Sequence, residues 1–399
     1  MSEKRRDNKN RILRTGESQR KDGRYAYKYI NNLGKIQFVY ACKLVATDRI
    51  PAGKKDDISL REKIVQIEKD LSDNVNIAYS KLTVTKLYER FIKYKGNVRS
   101  STTTYRQSFI KILEKDSLGS LSIDKVKTSD AKDWILRMNE KGYSYRTIKN
   151  YRRSLLACFY MAVNEDYIRK NPFCFDFDTV IEDTTVKKQA LSKEQEESLL
   201  SFISNSKTYK KYYDDIVILL GTGLRISEMC GLTLSDIDFE NRLINVNHQL
   251  LRNTKSCSKR YVEAPKTKSG IRQIPMSENV YQAFFRIKEA MPYKKGISID
   301  GYKDFLFVSS TGLVRTQMDY CNIFTRLIKK YNTTDDIALP EIMTLHTLRH
   351  TFCTKLANAG LNPKSLQYLM GHSSIAMTLD YYTHATVQTV KEEFNKVNI

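Results

Sequence analysis

The sequence predicts a multidomain, mainly helical chain with small β-sheets near its start and towards its C-terminal end. Three observations predict it. At 399 residues the chain is too long for one hydrophobic core. Aromatic residues alternate at strand period near the start, and apolar residues recur at helical spacing from about residue 80 to 175. With 41% hydrophobic and 11% aromatic residues, the chain has enough apolar surface to fold. Domains are expected at 1–76 (a small β-sheet), 77–180 (a helical bundle) and 181–399 (mixed α+β).

The charge points to a partner. Lys and Arg number 67 against 45 Asp and Glu, a formal net charge of +22, and the first explanation for such an excess is a polyanion. Nucleic acid leads and an anionic membrane is the rival. Residues 1–14 are charged and polar, unlike a secretory signal, and no apolar run reaches membrane-spanning length, so no membrane role is expected and the chain should be intracellular. Cys42, Cys158, Cys174, Cys230, Cys257, Cys321 and Cys353 form no Cys-x-x-Cys pair. That argues against a zinc ribbon or a disulfide framework and for reduced packing residues.

In order along the chain, residues 24–30 alternate Tyr25, Tyr27 and Tyr29 and predict a strand; 31–35, with Gly34, suits a turn, and 36–42 a second strand. Residues 59–71 place Ile64, Ile67 and Leu71 at helical spacing. Such a sheet can present basic and aromatic side chains, here Arg24, Tyr27 and Lys28, to a DNA groove, or simply a solvated basic face. Helices are expected near 83–95, 101–115, 129–141 and 144–166. In the last, Ile148, Tyr151, Leu155, Phe159 and Ala162 form an apolar stripe, while Arg146, Lys149 and Arg153 line a face that could track phosphates or face solvent. Asn171-Pro172 ends this segment, and residues 182–189 read as a linker. Ser192 and Gln195 then have the form of a capping box, with Leu199, Leu200 and Ile203 beginning a buried face.

The chemistry concentrates after residue 220. In GTGLRISEMCGL, residues 221–232, Gly221 and Gly223 allow a bend and Arg225 leaves it near a helix start, where a guanidinium can hold phosphate oxygens; Glu228 could fix its rotamer, or the two could be a surface pair. Strands are expected at 243–247, 260–263 and 271–275, with Lys266 and Lys268 on a hairpin turn before the last. An ammonium there could protonate a leaving oxygen. His346 and Arg349 fall one turn apart on a helix, suited to acid–base work on a phosphate. His346 and His350 could instead pair on a metal, but Thr347 stands where a zincin has glutamate. Gly371-His372 follows, then Tyr381, Tyr382, Thr383 and His384, so four of five histidines lie between 346 and 384.

Arg225, the 266–270 turn, His346-x-x-Arg349, Gly371-His372 and Tyr382 stand in the order and spacing of the tyrosine recombinases, and the whole chain resembles integrases of conjugative transposons and phages. The resemblance implies an arm-type DNA-binding sheet, a core-binding helical domain and a catalytic domain. It implies Tyr382 as nucleophile, Arg225 and Arg349 on the non-bridging oxygens, His346 as base, His372 bonding the phosphate and a lysine as proton donor, with no metal or other cofactor. Aligning the turn from its start favours Lys266; counting back from Gly270 favours Lys268. Adjacent tyrosines diverge by about 100° on a helix; the Tyr-Thr-His pattern of the family selects Tyr382 over Tyr381. The products implied are a 3′-phosphotyrosyl bond and, through four protomers, a four-way junction. Core-type and arm-type double-stranded sites, an excisionase and a DNA-bending protein are the partners it implies, in the bacterial cytoplasm. A type IB topoisomerase and a non-cutting regulator are the other readings. The separate basic N-terminal module argues against the first and the intact residue set against the second. The tail, 385–399, could form an amphipathic helix that packs on a neighbouring protomer.

Overall fold

The computed structural model describes residues 5–31, 35–49, 57–72, 82–96, 98, 100–186, 188–253, 259–291 and 297–382. It divides into two compact units, Met1–Thr185 and Val186–Ile399. The division falls within the polar stretch 182–189.

The first unit opens with a three-stranded antiparallel sheet, β1 (Glu17–Gln19), β2 (Tyr25–Ile30) and β3 (Ile36–Ala41), in that order. The first strand is too short for its periodicity to show in the sequence. The expected turn at 31–35 falls largely outside the described residues, although Asn31 Oδ1 accepts from the Lys35 N–H at 2.9 Å. Residues 43–47 do not extend the sheet. Helix α1 (Leu60–Ser72) shares a small core with it, in which Tyr25, Ala41, Leu44, Leu60 and Ile64 are buried.

The sheet's two faces separate the residues that the sequence grouped. Tyr27 pairs with Val39 across the ladder and packs against that core, whereas Lys28 pairs with Phe38. Because successive side chains point to opposite faces, Tyr27 cannot share a surface with Arg24 and Lys28. The outer face carries exposed Arg24, Lys28, Phe38 and Tyr40, with the Arg20 and Arg24 guanidinia 5.2 and 5.8 Å from the Tyr40 ring centre. Arg24 also pairs with Asp22 at 2.7 Å.

Among the described residues five helices follow: α2 (Val84–Tyr94), α3 (Ser100–Glu114), the short α4 (Ser117–Ser120), α5 (Thr128–Glu140) and α6 (Tyr145–Asn164). The α6 stripe expected from Ile148 to Ala162 is buried at all five positions. Its centre is aromatic: Phe109 stacks on Tyr151 with ring centres 4.2 Å apart, and Trp134 closes the cluster beside Phe109 and Phe173. On the opposite face Arg146 and Arg153 are exposed. Lys149 departs from the expected phosphate-tracking row, because its ammonium lies 2.8 Å from Asp178 and donates to the Tyr145 hydroxyl.

The second unit begins with α7 (Lys193–Asn205), capped by Ser192 and Gln195 reciprocally, and buries Leu199 and Ile203 while Leu200 is half-buried. It continues through α8 (Tyr213–Thr222), α9 (Ile226–Gly231), strands β4 (Ile237–Asp238), β5 (Leu243–Val246), β6 (Gln249–Arg252), β7 (Arg260–Glu263) and β8 (Arg272–Pro275), then α10 (Glu278–Glu289), α11 (Gln317–Thr334), α12 (Leu345–Asn358), α13 (Pro363–Met370) and α14 (Ala376–Leu379). One core from Leu191 to Leu348 joins helices and strands. The expected hairpin at the lysines is not formed. β7 pairs with β6, and β8 with β5, so residues 264–271 cross from one small sheet to another. Local alternation specifies strands but not their partners, and β6, with the two-residue β4, was not expected from the sequence.

Among the described residues no helix is long and apolar enough to cross a membrane. Phe109→Ala removes a fully buried ring from the aromatic centre of the helical bundle and is expected to cost about 3–5 kcal/mol of stability, read as a lower urea midpoint of the transition that reports α2–α6.

Candidate active site: an arginine-lined phosphate cradle

Gly223 sets the position of Arg225. It terminates α8 in the left-handed region, φ +61°, and a Cβ there would sit 2.4 Å from the Phe352 ring. No larger residue fits. Two residues on, Arg225 is the N-cap of α9, its backbone N–H satisfied by Glu228 Oε2 at 2.9 Å. The same carboxylate takes the Arg225 side chain at 2.6 Å, so the i,i+3 spacing is here an internal clamp rather than a surface pair.

Glu228 is shared. Arg272, the first residue of β8, is 3% exposed and donates to both Glu228 oxygens, at 2.8 and 3.2 Å. Burial alone would raise the Glu228 pKa; the Arg272 and Arg225 guanidinia overcome it and hold the group at about 2. Arg349, also 3% exposed, lies on the buried face of α12 and donates to the carbonyls of Gly223 and Met370. Burial, then the charge of Arg225, pushes its pKa down to about 9, still protonated at neutral pH. No carboxylate lies within ion-pair distance of Arg349 among the described residues.

The three guanidinia converge on one helix end. Arg272 bonds the Leu369 carbonyl at 2.7 Å, Arg349 that of Met370, and Arg225 that of Gly371 at 3.0 Å. These are orphan carbonyls at the C-terminus of α13, where the helix dipole also favours cations. Gly371 closes the helix at φ +60° and delivers His372 into the cluster. Its Nδ1 lies 3.0 Å from the Thr378 hydroxyl; with Thr378 as donor, which we assign, the imidazole proton sits on Nε2. Burial first, then Arg349, Arg225 and Arg272, pushes the His372 pKa down to about 4. His346 is an exposed side chain with protein packed beneath it; that desolvation, with Lys188 and Arg349 nearby, also pushes its pKa down to about 4.

The lysines and tyrosines complete the region. Lys266 and Lys268 are both exposed on the crossing segment, with Lys268 opening a short 3-10 turn, Lys268–Gly270. Tyr381 and Tyr382 point apart. The Tyr381 ring centre lies 4.9 Å from that of His350 and 6.3 Å from that of His372. The Tyr382 hydroxyl instead donates to the Leu361 carbonyl, while both tyrosines pack on the Cys353, Ala357, Leu366 and Met370 cluster. The structure therefore brings Arg225, His346, Arg349 and His372 into one region with Tyr381 rather than with Tyr382. His384 and the tail lie outside the described residues. Among the described residues no group of three His, Cys, Asp or Glu is placed to hold a metal.

Sequence reasoning missed Arg272, whose only local signal is an arginine at the head of a strand. Two arginines share one carboxylate and a third, Arg349, is held by backbone carbonyls, which leaves the cradle positive and, with its neutral imidazoles, suited to an anionic, tetrahedral oxygen group. Such an arrangement defines a domain that handles phosphodiesters.

Comparison with known proteins agrees. Residues 189–389 match the phage integrase family and residues 1–71 the DNA binding domain of Tn916 integrase. The chain is 56% identical over 398 residues to the transposase from transposon Tn1545 of Streptococcus agalactiae serotype V, covering 100% of this chain and 98% of that one. The transposase from transposon Tn916 of Enterococcus faecalis is 55% identical, with the same coverage. Among solved structures, a Tn1549 transposon integrase in complex with a circular intermediate DNA is 55% identical, with a TM-score of 0.76 over 79% of this chain and 99% of that one. The chain belongs to the phage integrase family and is a tyrosine-type site-specific recombinase.

Two outcomes follow from the electrostatics. Glu228→Gln leaves Arg272 buried without a counter-charge and is expected to cost about 3–5 kcal/mol, measured by chemical denaturation. Because His346 and His372 have depressed pKa values when folded, the unfolded chain binds more protons between about pH 4 and 6.5, so their contribution to stability falls as pH drops through that window. Histidine NMR titrations of the free protein should place both midpoints below the value of about 6.5 of an unperturbed imidazole.

Proposed function

We propose that the chain integrates and excises a mobile DNA element, cutting and rejoining strands at the element's ends. The observation that carries this reading is the cradle itself, where Arg225 and Arg272 pair with Glu228 and all three guanidinia, with Arg349, converge on the carbonyls of residues 369–371 just before His372. A related Tn1549 integrase, 54% identical, was solved in complex with transposon right end DNA, and we extend duplex DNA as partner to this chain. Arg24 and Lys28 on the outer face of the N-terminal sheet would bind arm-type sites, and Arg146 and Arg153 on α6 the core-type phosphates. Tyr27 and Lys149 then act as supports, given their packing and pairing.

In the cleavage step a tyrosine oxygen attacks phosphorus and the bond to the 5′ oxygen breaks. Arg225 and Arg349 stabilise the charge that builds on the non-bridging oxygens, with His372 Nε2–H donating to one of them. Neutral His346 is free to accept the phenol proton, since its depressed pKa keeps it unprotonated. Lys266, or Lys268, protonates the departing 5′ oxygen. The phosphotyrosyl ester conserves the bond energy, so rejoining is the reverse displacement on a new strand and needs no cofactor. Four protomers exchanging strands through a four-way junction, an excisionase, a DNA-bending protein and the bacterial cytoplasm complete this reading.

The nucleophile of this reading is Tyr382, on the Tyr-Thr-His pattern, with Tyr381, whose ring lies against those of His350 and His372, as the alternative. A nicked duplex from the element's end traps the covalent adduct and separates them. Tyr382→Phe is expected to abolish the adduct, with Tyr381→Phe retaining it. The reverse pattern assigns the chemistry to Tyr381, and an adduct from both single variants removes these tyrosines from the mechanism.

A further inference from the structure

We propose that Arg272 is a positioning residue for strand cleavage, fixing the lysine-bearing segment 266–270 against the phosphate cradle so that the proton donor stands at a set place relative to the phosphate. The inference rests on the reading of Lys266 or Lys268 as that donor.

Arg272 is too deep to meet DNA, and its guanidinium is engaged on three sides. Nη1 donates to the Gly270 carbonyl at 3.0 Å, the last residue of the lysine segment's turn. Nε donates to the Leu369 carbonyl at 2.7 Å, three residues before His372. Nη1 and Nη2 reach Glu228, which in turn holds Arg225. One planar fork thus ties together the lysine segment, the helix end that delivers His372, and the carboxylate that orients Arg225. A lysine, with a single nitrogen at its tip, cannot reproduce that geometry.

Packing points the same way. A Cβ on Gly371 would lie 3.0 Å from both Arg272 Nη1 and the Ser269 carbonyl, so the residue before His372 touches the lysine segment directly over Arg272. Downstream, Arg272 pairs with Val246 in the β5–β8 ladder, which anchors one end of the segment to the sheet. Lys266, Thr267 and Lys268 are themselves exposed. Their placement relative to the cradle is transmitted through the Gly270 carbonyl and the base of β8.

The test uses the chemistry of the leaving group. When the tyrosine oxygen bonds to phosphorus and the P–O5′ bond breaks, the 5′ oxygen must take the lysine's proton. A sulfur in that bridging position leaves as a thiolate and needs none. A protein with a misplaced proton donor is therefore slow on the oxygen substrate and restored on the sulfur one. Cleavage of nicked duplexes from the element's end, with oxygen or sulfur at the scissile 5′ position, is measured for the full chain, for Arg272→Lys and Arg272→Met, and for Lys266→Ala and Lys268→Ala.

The expected result is a rise of about tenfold or more in the sulfur-to-oxygen rate ratio for the Arg272 variants, in the same direction as for the donor lysine's variant. Taken as a ratio, it does not depend on how much of a variant is folded. Should the single variants not fold at all, Glu228→Gln/Arg272→Gln removes both members of that buried pair together and gives the same readout. If a lysine variant raises the ratio and the Arg272 variants lower both rates equally, Arg272 serves only stability and the inference is overturned. If neither lysine variant raises the ratio, the proton-donor reading itself fails, and the inference with it.

Discussion

The catalytic unit depends on a buried carboxylate. Glu228 lies between Arg225 and Arg272, and its negative charge is what allows two guanidinia to be held so close together with a third, Arg349, nearby. Taking charges out of water costs several kcal/mol per ion unless geometry and hydrogen bonds compensate. Here they do, through backbone carbonyls. Residues 369, 370 and 371 each give an oxygen to a different arginine, turning the unsatisfied end of a helix into the floor of an anion site.

The same arrangement explains why the site is electrostatically prepared yet restrained. One carboxylate among three guanidinia leaves an excess of positive charge, which adds to the larger effect of burial in keeping His346 and His372 neutral. A neutral imidazole can donate one proton and accept another, so it suits both directions of a reversible strand transfer. Preorganised donors of this kind stabilise developing charge without reorganising at the moment of reaction.

The N-terminal sheet shows how period-2 geometry sorts function from support. Arg24 and Lys28 share the outer face with Phe38 and Tyr40, while Tyr25 and Tyr27 turn to the core with α1. On α6 a similar sorting applies, with Arg146 and Arg153 exposed and Lys149 drawn aside by Asp178.

The sequence by itself determined the mainly helical class, the α6 stripe and the capping box at Ser192, because those signals are local, while Arg225, His346, Arg349 and His372 were legible only through their order along the chain. The tertiary structure decided the rest. Arg272 meets Glu228 across 44 residues, the lysines lie on a crossing between sheets rather than on a hairpin, and which of two adjacent tyrosines meets the histidines depends on where α13 and α14 place the chain. Strand partners, buried ion pairs and side-chain direction are fixed by contacts between distant segments, and no local pattern encodes them.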